Sequence, residues 1–425
     1  MHRLRNTILT LTALAVLSLA HAQTLEVWDW WTQGKKNEVA EQLNAEFEER
    51  NPGVTIERTS RPLDDLKVTV KLALGSGEGP DVPMVNQGAP DMGEMVQGGL
   101  IRPLDAYAEQ YGWLDLHSER LFERKRWTED GDFGRGDLYG VSPEIFVVGV
   151  YYNRAHFEEA GIDVPETFEE FQANLEALDE AGITPITFGN SDGWPAIHLY
   201  GAVQHLFVEL DYLSDLIYGR GGSWVTDGNL RAAEIVRDWV ESGYLSDGYA
   251  GLSYDDSWAA FARGEGAMMI TGSEVADLFA DNPDIGFFAM PPLEENTGTT
   301  PLHIVGTGIP FSISASTAHP DLAAAYIDWM MSERAAEAWM AADVVPALPI
   351  DEAMLEPGSL QADIHDVWTR IDEAGATGFY LDWATPSFYD TITAGLQRLL
   401  AGRIDAQQFV EDLDRDYQDY LASRD

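Results

Sequence analysis

Cysteine is absent from this 425-residue chain. Disulfides are excluded, so the packed core must hold the fold unaided. The lipid-modified cysteine that tethers some exported proteins to a membrane is missing too. Basic residues are scarce: 26 Lys and Arg against 72 Asp and Glu leave a net charge of −46. That field argues against nucleic acid and anionic membranes as partners. The acids are spread along the whole chain, which suits a solvated surface adapted to high ionic strength better than a site for one polycation. Metal and phosphate signatures are lacking as well. The nine His are scattered, no H-E-x-x-H occurs, and the glycine-rich GSGEGP (75–80) has no Lys-Ser or Lys-Thr behind it. No cofactor and no metal are expected. The one long apolar run, Ile8 to Leu19, falls short of the roughly 20 residues that span a bilayer.

That run follows Arg3 and Arg5 and precedes Ala20-His21-Ala22, with small residues at the two positions a signal peptidase reads. Residues 1–22 therefore read as a signal peptide cleaved after Ala22. The mature protein is expected to be periplasmic, monomeric and without a lipid anchor. The remaining chain is too long for one core and should divide into two domains.

Leu25 to Trp31 reads as a first strand, and a helix from about Asn37 to Arg50 turns Val39, Leu43 and Phe47 inward at i, i+4, i+8. The turn Asn51-Pro52-Gly53 leads to an alternating strand, VTIERTS. A helix around Leu63 to Leu74 and a third strand, Asp81 to Val85, complete an α/β unit with a largely parallel sheet. Further on, Ile145 to Tyr152 is a buried strand. Asn153 caps the short helix that follows, and Gly161 stops it. Pro165 and Thr167 launch a second amphipathic helix. A second alternating series has strands at Ile183 to Phe188, Ala267 to Ile270 and Ile285 to Ala289. The passage PPLEENTGTTP reads as a crossing, IVGTGIPFSIS as another strand, and Pro320 to Ala341 and Arg403 to Leu421 as helices.

The stretch from Tyr139 to Phe171, YGVSPEIFVVGVYYNRAHFEEAGIDVPETFEEF, resembles the hallmark of family 1 extracellular solute-binding proteins, the maltose-binding-protein-like receptors of carbohydrate ABC importers. Ser142 moves the proline to Pro143, and Phe168 stands where tryptophan is usual. FARGEGAMMITGS at Phe261 to Ser273 is a second marker, and Pro80 to Val82 fits the family opening. The resemblance implies an α/β, two-lobed periplasmic-binding-protein fold with discontinuous lobes and a hinge. It places 23–142 and 300–343 in the N-terminal lobe, and 143–299 and 344–425 in the C-terminal lobe. It also implies a carbohydrate ligand and the membrane permease subunits of an importer as partners.

Thirteen tryptophans are the second clue. Trp239, Trp329 and Trp339 sit at apolar-periodic helical positions and belong to the core, as does Trp258. Trp30 and Trp31 close the first strand, where their side chains point to opposite faces and core packing accounts for only one. Ligands of α/β lobes bind beyond the carboxyl ends of strands. Trp194 lies in a comparable loop, Gly189 to Pro195. An indole presents a flat apolar face to the C–H face of a pyranose. Carboxylates and amides must then meet the hydroxyls, and Asn86, Gln87, Glu144, Asn190 and Asp192 fall on such edges. By resemblance, Tyr254 and Glu274 join them, with Glu274 where many relatives carry tryptophan. The loop with Tyr380, Asp382 and Trp383 is likewise one through which relatives contact ligand.

Two other classes remain in view at this level. Gly189-Asn190-Ser191-Asp192-Gly193 is a literal G-x-S-x-G after an expected strand, the setting of a hydrolase nucleophile. His303, His319 or His365 would have to serve it, yet no H-G-G-G-type segment precedes it, and Asn and Asp suit an ordinary turn. A polyamine or other cation carrier is the second alternative.

Overall fold

The computed structural model describes residues 23–424 except 117, 280, 281, 345, 347, 349 and 351–353. The expected signal peptide, residues 1–22, lies outside the described residues. Among the described residues no helix is long and apolar enough to cross a membrane.

Two sheets organise the chain. In the first, β1 (Gln23–Asp29) lies between β2 (Val54–Ser60) and β3 (Val82–Pro83), all parallel. Helix α1 (Gly34–Arg50) covers this sheet with Val39, Leu43 and Phe47, and α2 (Leu63–Ser76) adds Leu66, Val70 and Leu74. A small antiparallel hairpin follows, β4 (Arg126–Trp127) with β5 (Asp137–Leu138). The second sheet is built on β6 (Phe146–Asn153), which pairs antiparallel with β7 (Met268–Gly272), β8 (Ile285–Phe288) and β9 (His303–Gly306). At its edge β10 (Thr377–Gly378) runs parallel to β9. Asn153 caps the helix Arg154–Ala160 by accepting from the Ala155 and His156 backbone N–H groups, and Gly161 ends it in a left-handed conformation. Thr167 caps the helix Phe168–Glu180. Each sheet carries its own helices, and the molecule is a two-lobed α/β fold.

The chain crosses between the sheets where two segments run side by side. Val141 bridges Phe311 in antiparallel fashion, and a few residues on, Phe146 pairs with Gly306. Residues 142–145 and 307–310 therefore pass together from one sheet to the other. Pro346 bridges Glu144, which brings a third segment to the same place.

The elements differ from the sequence expectations in four places. Ile183–Phe188 forms no strand; Ile186 makes only isolated parallel bridges to Leu245 and Met268, so its apolar run is core filling without a ladder. β9 lies in the second sheet, so the crossing falls after Gly306 and not at Thr300. Pro320–Ala341 is two helices, Pro320–Met330 and Glu333–Ala341, because Ser332 caps the second by accepting from the Ala335 N–H. Trp30 and Trp31 follow β1 rather than ending it.

Candidate ligand-binding cleft

The carboxyl end of β1 runs into a turn held by Asp29, whose Oδ1 accepts from the Trp31 N–H at 3.0 Å. The same carboxylate takes the Arg58 guanidinium. This turn sends the adjacent indoles apart. Trp31 is 3 % exposed and packs on Trp339 at 4.8 Å and edge-on to Phe311 at 5.7 Å. Trp30 instead faces the space between the lobes, with Lys36 Nζ 5.2 Å from its ring centroid. After β3, Asn86 and Gln87 reach the same space. Gln87 Nε2 donates to the Gly308 carbonyl at 3.1 Å in the crossing segment, and Asn86 Nδ2 donates to Asp91 at 2.7 Å.

The facing wall comes from loops at the ends of the second sheet. Trp194 packs edge-on to Tyr254 at 4.5 Å, and the Tyr254 hydroxyl lies 2.8 Å from Thr271 Oγ1 on β7. Glu274 Oε1 accepts from the same hydroxyl at 3.4 Å. Tyr380 stands 5.5 Å from His198 and 5.4 Å from Trp383, which continues the aromatic lining. Together these walls enclose a cavity of about 420 Å³.

Burial governs the electrostatics of the second wall. It pushes the Glu274 carboxyl up to about 7 and the Asp382 carboxyl up to about 6, and it lowers His198 to about 3. Tyr254 and Tyr380 are likewise raised, by burial first and then by the negative charge of Glu274. Among the described residues two lysines line the cavity. Lys36 Nζ bonds Glu144 at 2.6 Å, and Lys67 lies 3.5 Å from Asp91 and 4.0 Å from the Tyr389 ring centroid.

Of the residues singled out in the sequence, the cavity wall includes Trp30, Trp31, Asn86, Gln87, Asp192, Trp194, Tyr254, Glu274, Tyr380, Asp382 and Trp383. Two are placed elsewhere. Glu144 is 2 % exposed in the crossing segment and is taken by Lys36. Asn190 is 2 % exposed and spends its Oδ1 on the Ala196 N–H, capping the helix Pro195–Gln204. Trp31 touches the cavity, but its ring is mainly core. Trp258, expected in the core, is only half-buried and lines the cavity. Asp64, Lys67, Asp277 and Tyr389 were not anticipated and also line it. Asp64 and Lys67 begin α2, directly after β2, so the strand-end rule could have found them. Nothing in the sequence marks Tyr389.

The G-x-S-x-G stretch is a turn whose polar groups serve the fold. Asp192 Oδ2 accepts from the Tyr254 N–H at 2.7 Å, the Ser191 N–H donates to the Leu252 carbonyl, and Gly193 takes a positive φ. Among the described residues no histidine hydrogen-bonds Ser191. His303 is buried, with Nδ1 on the Pro301 carbonyl, and His319 meets Gln23.

Two α/β lobes joined by paired crossings, with an aromatic and polar cleft between them, are the architecture of a two-lobed solute receptor. The sequence profile of bacterial extracellular solute-binding proteins matches residues 31–337, and the chain belongs to that family. A multiple sugar-binding protein of Streptococcus mutans is 27 % identical over 71 % of this chain and 70 % of its own length. The alpha-glucosides-binding periplasmic protein AglE of Rhizobium meliloti is 26 % identical over 75 % and 70 %. Among solved structures, a chitin oligosaccharide binding protein superposes with TM-score 0.80 at 24 % identity, covering 94 % of this chain and 99 % of that one. The binding protein RafE in complex with raffinose superposes with TM-score 0.73 at 21 % identity over 94 % and 99 %.

Proposed function

We propose that this protein is the extracytoplasmic substrate-binding component of an ABC importer and captures a mono- or oligosaccharide between its lobes. The observation that carries the reading is the pairing of Trp30 on one wall with Trp194 and Tyr380 on the other, each among amides or carboxylates. Apolar ring faces with polar groups at their edges fit the alternating C–H and O–H surface of a pyranose. The sugar-binding names of the relatives support the same class.

The mechanism is capture without chemistry. Hinge closure around a ligand is the general behaviour of periplasmic binding proteins. A ligand drives it only through contacts that exist in the closed form alone. A sugar stacked on Trp194 gains the Trp30, Asn86 and Gln87 contacts when the lobes meet, so its binding energy favours closure. The closed form then docks on permease subunits. The protein acts as a monomer, in the periplasm, after cleavage behind Ala22.

A thermal-shift screen against mono-, di- and trisaccharides tests this. A ligand at 100 times its dissociation constant adds about 2.7 kcal/mol to stability, so a binder moves the midpoint clearly. No shift with any saccharide, or turnover of p-nitrophenyl esters abolished by Ser191→Ala, would refute the reading.

A further inference from the structure

Three buried acceptors on the cleft wall, Gln87 Oε1, Glu274 Oε2 and Asp382 Oδ1, have no partner among the described residues. Gln87 is 1 % exposed and its Nε2 is bound to the Gly308 carbonyl, so its Oε1 is the atom left without a partner. A carbonyl partner requires a donor, which fixes the orientation of that amide. The same logic holds for Asn86, whose Nδ2 is committed to Asp91. Asp382 is 7 % exposed with Oδ1 unpartnered, and Glu274 Oε2 is buried and unpartnered as well. The buried unpartnered donors on the wall are the indole N–H groups of Trp30 and Trp31.

Among the described residues no Lys or Arg forms an ion pair with Glu274 or Asp382. The nearest lysines, Lys36 and Lys67, make their ion pairs with Glu144 and Asp91. A surface adapted to salt does not account for carboxyl groups in these positions, because they are buried and face the cavity. A hydroxyl donor satisfies a lone pair but leaves the charge unbalanced. An ammonium brings three N–H donors and the balancing charge together.

We propose that the cleft selects an amine-bearing saccharide, with the protonated amino group held by Asp382 or Glu274 and the remaining hydroxyls donating to Gln87 and Asn86. The proposal rests on the carbohydrate reading and narrows it. Uronates and sugar phosphates are disfavoured, since Lys36 and Lys67 are already engaged by Glu144 and Asp91 while the carboxyl groups of Glu274 and Asp382 oppose a ligand anion. Burial keeps Glu274 and Asp382 partly protonated near neutrality, and an adjacent ammonium draws both to the ionised form.

The test is titration calorimetry of the full mature protein with matched probes: glucosamine di- and trisaccharides, their N-acetylated forms, cello-oligosaccharides of equal length, a galacturonate disaccharide and spermidine. The expected result is at least tenfold tighter binding of the free amine than of its acetylated or hydroxyl counterpart, and no binding of the uronate. Asp382→Asn or Glu274→Gln should reduce that preference at least fivefold. Equal or tighter binding of the neutral sugars overturns the proposal and leaves the carbohydrate reading intact. An unchanged preference ratio in both variants also overturns it. Binding of no probe overturns the proposal alone, and binding of spermidine alone overturns the carbohydrate reading with it.

Discussion

Asp277 supplies a contact between the lobes whose loss can be worked through to a number. Helix α1 has no capping side chain of its own: Gln33 makes no cap bond, and no acid occupies the first turn. The backbone N–H groups of Lys35 and Lys36 are instead directed at the carboxylate of Asp277, in the turn after β7 on the other lobe. The approach is close enough that a Cβ on Gly34, at φ +71, would lie 2.5 Å from Asp277 Oδ2. Removing a capping carboxylate costs about 1 kcal/mol, and the dipole of a full-length helix adds to it. In an open form both groups face water, so the whole loss falls on the closed form. A loss of about 1 kcal/mol is roughly fivefold in the closing equilibrium, and apparent affinity falls by the same factor where the closed form is a minority. The chain has no cysteine, so spin labels on cysteines placed at exposed Val68 and Val225 report the interlobe distance cleanly. Asp277→Ala should shift that distance outward without ligand and weaken sugar binding about fivefold. Asp277→Asn, an equally good cap, should restore both. Equal losses in the two variants, or a ligand-free distance that does not move, would refute the capping argument.

Trp194→Ala should weaken saccharide binding by about 1–3 kcal/mol, the scale of one large buried apolar face; unchanged calorimetric affinity removes Trp194 from the site. Gly88→Ala should hold the lobes apart, because its φ is +88 and a Cβ would lie 2.5 Å from Trp383 Cδ1; small-angle scattering of the ligand-bound form would show the larger radius. The Glu274 carboxyl is raised from 4.5 to about 7, so the folded chain keeps a proton that the unfolded chain has released within that window. Ligand-free stability should therefore fall as pH rises from about 4.5 to about 7, and Glu274→Gln should remove that slope in chemical denaturation. Lys125 is fully buried, has Thr307 Oγ1 at 2.7 Å as its hydrogen-bond partner, and is lowered from 10.5 to about 7. The unfolded chain then holds the extra proton, so stability should rise with pH from about 7 upward. Lys125→Met should raise the unfolding midpoint at or below pH 7 and flatten the rise.

Local signals served the fold well. The Asn153 and Thr167 caps, the Gly161 stop, the VTIERTS strand and the inward face of α1 all follow from spacing and capping chemistry. What failed was reading tertiary pairing from a local run. Ile183–Phe188 has strand composition but only isolated bridges. His303–Gly306 carries nothing in its own residues that says which sheet it joins. In the cleft, the strand-end rule located Trp30, Asn86 and Gln87, because polar or indole side chains there have no core to enter. The structure puts Glu144 and Asn190 to other uses, since distant Lys36 takes the first and the N-terminus of the next helix takes the second. Trp258 was misread because helical periodicity shows a face without showing whether that face meets core or cavity.

Glu144 is informative in its own right. It lies in one crossing segment, bonds Lys36 on α1, and stands beside Gly308 in the other crossing, where a Cβ would lie 2.5 Å from its Cγ. Gln87 donates to the carbonyl of that same Gly308. One buried cluster thus joins the floor of the cleft, the α1 terminus that meets Asp277, and both hinge segments. A ligand that engages Gln87 Oε1 and Trp30 fixes the first-lobe side of this cluster. Leaving either partner of the buried Lys36–Glu144 pair alone is strongly unfavourable, so removing Lys36 or Glu144 singly should destabilise the fold. Lys36, Glu144 and Gly308 thus place a buried ion pair and a packed glycine at the crossing, directly beneath Gln87.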